Sequence, residues 1–84
     1  MRAVVTVVGK DKTGIIARVS GLFYENNINI LDISQKIMQK LFTMIALVDL
    51  EESNVSLEEL SLALEEVEKE LNVSITILPE NQML

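Results

Sequence analysis

Along this chain the spacing of apolar residues switches between the two-residue period of a strand and the three-to-four-residue period of a helix. Arg2–Val8 is dense in β-branched side chains and ends at Gly9, which predicts a buried strand. After the polar loop Gly9–Gly14, the residues Ile15, Ile16, Val19, Leu22 and Phe23 fall on one helical face, and the helix is expected to stop near Asn26-Asn27. Ile28–Gln39 returns to strand character through Ile28, Ile30, Ile33 and Ile37. Leu31 breaks the alternation there and predicts a bulge or bend. Past a short turn at Gln39-Lys40, the residues Phe42, Met44, Ala46, Val48 and Leu50 alternate strictly, so the two strands form an antiparallel hairpin.

Ser56 followed by Glu59 is a capping box, in which each side chain accepts from the other's unpaired backbone N–H. The helix it opens carries Leu57, Leu60, Leu64, Val67 and Leu71 as one apolar stripe. Glu58, Glu59, Glu65, Glu66, Glu68 and Glu70 are expected largely off that stripe, facing water. Asn72 can end this helix, Val73–Leu78 is a last strand stopped by Pro79, and Glu80–Leu84 is expected as a short disordered tail. The order βαββαβ with right-handed crossovers puts the first and third strands in the middle of the sheet. The predicted fold is α+β and ferredoxin-like: one domain over residues 1–84, a four-stranded antiparallel sheet with two helices on one face. The central strands carry apolar residues at both parities, for example Val4 and Val8 beside Val5 and Val7, so the second face is expected to be an association surface.

A chain of 84 residues makes one modest core, for which self-association is a common supplement. The most apolar stretch, Leu41–Leu50, is short and contains Thr43 and Asp49, so no membrane span is expected. Met1 leads directly into strand-like sequence, and the expected location is the cytoplasm. The absence of cysteine and histidine removes disulfides, thiolate chemistry, soft metal sites and imidazole bases. No enzyme, metal or cofactor is therefore expected. The net charge of −6 argues against nucleic-acid binding. Its distribution says more: six of the seven basic residues lie in 1–42 and ten of the thirteen acidic ones in 43–84, so the first half is suited to receive an anion.

Gly9-Lys10-Asp11-Lys12-Thr13-Gly14 leads into the first helix, whose opening turn offers unpaired backbone N–H groups and partial positive charge to a carboxylate or phosphate. Gly14 permits close approach, and Lys10, Lys12 and Arg18 add charge. Alternatively, Asp11 or Thr13 caps the helix and the glycines serve a tight turn; both readings can hold together. The glycine spacing is that of a P-loop, but Ile15-Ile16 stands where that motif needs Lys then Ser or Thr. An RNA-binding domain of this topology would stack bases on strand aromatics, and here Phe42 stands alone.

The run Gly9–Val19 together with Asn29-Ile30-Leu31-Asp32-Ile33-Ser34-Gln35 resembles the ACT domain, in the variant seen in glycine cleavage system transcriptional repressors and formyltetrahydrofolate deformylases. Lys12 and Thr13 stand where that variant usually has Arg and Pro. The resemblance implies a non-catalytic regulatory module that forms a homodimer or higher homo-oligomer by pairing edge strands. It also implies a small-molecule ligand, an amino acid, held between the loop of one chain and the second strand of its neighbour. The loop then contributes Asp11, Lys12, Thr13, Gly14 and Ile15, and the strand Asn29, Ile30 and Asp32. Backbone N–H groups near Gly14 would take the ligand carboxylate, with Asp11, Asp32 or Asn29 taking its ammonium. The alternative is a protein–protein interaction domain of the same fold without a free ligand. In that case Asp32 and Gln35 only keep an edge strand from open-ended pairing.

Overall fold

The computed structural model describes residues 1–82. Its elements run β1 (Arg2–Lys10), α1 (Ile15–Glu25), β2 (Asn29–Met38), β3 (Leu41–Asp49), α2 (Leu57–Leu71), β4 (Ser74–Pro79) and a single 3-10 turn, Glu80–Gln82. The strands lie in the order β2-β3-β1-β4, all pairs antiparallel. This is the ferredoxin-like α+β arrangement expected from the periodicities. Among the described residues no helix is long and apolar enough to cross a membrane.

Alternation decides which face is buried. Ala3, Val5 and Val7 of β1 and Phe42, Met44, Ala46 and Val48 of β3 point one way and are buried. They meet Ile15, Val19, Leu22 and Phe23 of α1 and Leu60, Leu64 and Val67 of α2. Both helices end on an asparagine in the left-handed region, Asn27 at φ 58° and Asn72 at φ 54°, a conformation asparagine tolerates better than most residues. The break expected at Leu31 is a β-bulge: the β2–β3 register slips between Ile30 and Asp32.

Two expectations need correction. The tail does not begin disordered at Glu80. Residues 80–82 form the 3-10 turn, and Glu80 Oε2 accepts from Arg2 Nη2 at 2.7 Å; Met83 and Leu84 lie outside the described residues. Nor do all six glutamates of α2 simply face water. Glu68 Oε2 accepts the backbone N–H of Ile75 at 2.7 Å, and Glu70 Oε2 accepts from Arg18 Nε at 3.0 Å. Helical spacing brings Glu68 over the start of β4, a contact that the α2 period alone does not reveal.

The capping box forms as read: Glu59 N–H donates to Ser56 Oγ at 3.1 Å, and Ser56 N–H donates to Glu59 Oε1 at 2.9 Å. Hydrogen bonds from the Ser56 backbone N–H, and then from its hydroxyl, hold the Glu59 carboxyl below its ordinary value of 4.5. A depressed folded-state pKa contributes stability above the ordinary value, and that stability is lost as pH falls through the lowered one. Glu59→Gln keeps an acceptor at this position without the titration. The melting temperature should therefore drop less between about pH 7 and about pH 3 in Glu59→Gln than in the parent. Equal drops would remove Glu59 from the acid response.

Candidate functional site

The β1–α1 loop is held at three points. Asp11 N–H donates to the Lys40 carbonyl at 2.8 Å, fastening the loop to the β2–β3 turn. The Lys12 ammonium donates to the Leu71 carbonyl at the end of α2. Cations are favoured there, because the last carbonyls of a helix lack partners and carry partial negative charge. Arg18 reaches Glu70 on the same helix end. Two of the cations that the sequence offered to an anion are thus already engaged with α2.

The start of α1 has no such partner. Gly14 is its N-cap, at φ 92° and ψ 0°, and no side chain caps it. The left-handed φ favours glycine, and a Cβ added there would meet no atom within 4 Å. The capping role open to Asp11 or Thr13 is therefore unfilled. The first helical hydrogen bond is Arg18 N–H to the Gly14 carbonyl at 2.9 Å, so the amides of the opening turn before it point outward without a side-chain acceptor.

These amides open on a cavity of about 410 Å³. Asp11, Lys12, Gly14 and the Ile15–Ala17 turn form one wall, and Gln35, Lys36 and Ile37 of β2 with Phe42 of β3 form the other. Four of the five loop residues singled out in the sequence, Asp11, Lys12, Gly14 and Ile15, come together here, while Thr13 does not line the cavity. The strand residues are elsewhere. Asn29 sits at the far end of β2 beside a second cavity lined by Tyr24, Asn27 and Glu52. Ile30 and Asp32 line neither cavity. Asp32 registers with Leu47, on the face away from the helices, and its Oδ1 accepts the N–H of Ile33 at 2.9 Å. Sequence reasoning missed Lys36, Ile37 and Phe42 as cavity walls. Gln35 carried a signal as part of the strand motif, but as edge decoration.

The two sheet edges differ sharply. On β4 the Ile75 N–H is taken by Glu68, and Pro79 has no N–H to offer. On β2 every residue from Leu31 to Met38 is exposed. Ile33 and Ile37, whose register with Ala46 and Phe42 places them on the helix side, are still 42% and 55% exposed because α1 stops short of them. The β2 edge is long, partly apolar and open beside the cavity.

Residues 2–77, nearly the whole chain, match the family model described as ACT domain. The chain belongs to the ACT domain family. A UPF0237 protein of Clostridium acetobutylicum is 56% identical over 80 residues, covering 95% of this chain and 90% of its own length. Among solved structures, an ACT domain protein from Streptococcus pneumoniae superposes with a TM-score of 0.81 at 44% identity, covering 93% of this chain and 88% of the other. A formyltetrahydrofolate deformylase from Pseudomonas syringae superposes with a TM-score of 0.86 at 21% identity over 93% of this chain and 27% of its own, a likeness of fold alone. ACT domains are generally regulatory, ligand-binding units rather than catalytic ones. In this ACT domain the loop motif that carried the resemblance lines the 410 Å³ cavity, and the strand motif reaches it only at Gln35.

Proposed function

We propose that this ACT domain is a cytoplasmic, non-catalytic regulatory module that binds an amino acid at the boundary of a homodimer. The observation that carries the reading is the uncapped α1 N-terminus opening on the cavity beside the unguarded β2 edge. A ligand carboxylate placed there meets backbone amides at the positive end of a helix. Because Lys12 and Arg18 are engaged with α2, those amides rather than the loop cations would hold it. Asp11, exposed on the cavity wall, suits the ammonium. Antiparallel pairing of two β2 strands would bring the Asn29 end of one chain beside the Gln35–Ile37 end of the other. Asn29 and Ile30 of the partner subunit would then close the cavity, and Asp32, on the other face, contributes least.

One observation favours the alternative, an interaction domain with no free ligand: the cations nearest the amides already have partners within the chain. Ala17→Glu separates the two readings. Ala17 is exposed at the third helical position, where a glutamate can reach back to the vacant Gly14 N–H. This cap and its favourable charge should raise stability by roughly 0.5–1 kcal/mol while filling the carboxylate site. The parent should show a thermal shift with at least one of the twenty amino acids, and Ala17→Glu should melt no lower and show none. A parent response that survives in Ala17→Glu would remove the helix terminus from the site. No parent response at millimolar amino acid would favour the interaction domain.

A further inference from the structure

The cavity at the start of α1 has two chemically different sides. Its polar groups belong to the loop and the helix start: the uncapped amides of the opening turn and the Asp11 carboxylate. The strand wall is mostly apolar. Phe42 is its buried floor, and Ile37 registers with Phe42 and so points the same way. Ile37 is nevertheless 55% exposed, because no helix lies over it. On the other wall Ile16 packs against the core with only part of its surface and is half-buried. Aliphatic carbon thus faces the cavity from both walls without a covering group. Gln35, in register with Met44, is the polar side chain that alternation turns to this face of β2. The nearby cations are directed elsewhere: Lys10 and Lys36 register with Leu41 and Thr43 on the far face of the sheet, and Lys12 and Arg18 are engaged with α2.

Resting on the reading of this cavity as an amino-acid site, we infer that its ligand carries a branched aliphatic side chain (leucine, isoleucine or valine) and that Ile37 sets the preference. With the carboxylate at the helix amides and the ammonium toward Asp11, the side chain is left with Ile16, Ile37 and the Phe42 floor to cover. A branched aliphatic group gains most there, since burying each methylene is worth roughly fourfold in affinity. Glycine, alanine and serine would leave the isoleucines open to water. An acidic side chain would give up its hydration with no cation to receive it, and a basic one would compete with the ammonium for Asp11. The cavity, at about 410 Å³, lies near the small end of the range for ligand sites, which suits an aliphatic side chain better than an aromatic ring.

The test is a thermal-shift titration of the full chain, parent and Ile37→Ser, with leucine, isoleucine, valine, alanine, glycine, serine, aspartate, lysine and phenylalanine. Ile37 is more than half exposed, so serine there spares the core, which circular dichroism checks. In the parent we expect the three branched amino acids to bind about tenfold or more tighter than alanine. In Ile37→Ser the leucine-to-alanine preference should shrink by about fourfold or more, because part of the apolar wall is gone. The parent ranking decides the ligand class whether or not the variant folds. A parent that responds most strongly to a polar, charged or aromatic amino acid overturns the aliphatic assignment while leaving an amino-acid site standing. An unchanged leucine preference in a folded Ile37→Ser protein overturns the role given to Ile37. A parent that responds to none of the nine overturns this inference together with the reading beneath it.

Discussion

Gly9→Ala is expected to lower the melting temperature by about 10 °C, since overpacking costs about 1–3 kcal/mol and each kcal/mol shifts a domain of this size by about 4–8 °C. Gly9 lies in β1 beside the end of α2, and a Cβ there would stand 2.7 Å from Val73 Cγ1, 3.0 Å from its Cβ and 3.1 Å from its Cα. Two of those atoms are the branch point and the backbone, so no rotamer change relieves the contact. β1 or the α2–β4 junction has to move. The same junction anchors the loop, because the Lys12 ammonium sits on the Leu71 carbonyl two residues earlier. The shift should therefore reach the cavity at the start of α1 and weaken any amino-acid response along with stability. Gly21, inside α1, is the control. A Cβ there meets nothing within 4 Å, so Gly21→Ala should stabilise by roughly 1 kcal/mol through helix propensity. A Gly9→Ala protein that melts with the parent would mean the approach to Val73 relaxes without cost.

The element order was legible because each segment carries one clear period, and the strict alternation Phe42–Leu50 and the stripe Leu57–Leu71 leave little choice of type. The bulge at Leu31 was legible for the same reason: one extra residue inverts the parity of everything after it. The loop wall of the candidate cavity was legible too, since Asp11, Lys12, Gly14 and Ile15 are nearly contiguous and a helix start announces itself. The rest depends on contacts between segments distant in sequence. Lys12 looked like a free cation until the end of α2 was placed 59 residues along the chain. Glu68 looked solvated until β4 lay beneath it. Lys36, Ile37 and Phe42 became cavity walls only when the hairpin was folded under α1. Periodicity reports which face of an element is apolar, but not what lies across from its polar groups.

Gln35→Pro is expected to halve the mass of the assembly and abolish the amino-acid response, with a single-chain core that still folds. The reason lies in the direction of the β2 amides. The Ile33 N–H turns to the Asp32 carboxylate at 2.9 Å, away from β3. Alternation along a strand turns the Gln35 and Ile37 amides outward with it, toward any chain that adds to this edge. Proline at 35 removes one outward donor and sets a ring where a neighbouring strand must approach, yet takes nothing from the β2–β3 ladder. The residue before it, Ser34, is already extended, as a proline prefers. In the proposed dimer, loss of the paired strand would remove Asn29 and Ile30 of the partner subunit from the cavity, so binding should fall with mass. The matching change on the opposite edge, Ile77→Pro, removes an amide with the outward parity of Ile75 from a strand that Glu68 and Pro79 already guard. It should leave mass and response as they were. If Gln35→Pro sediments and responds like the parent, the subunit boundary does not run along β2 and the ligand site has to be built from one chain alone.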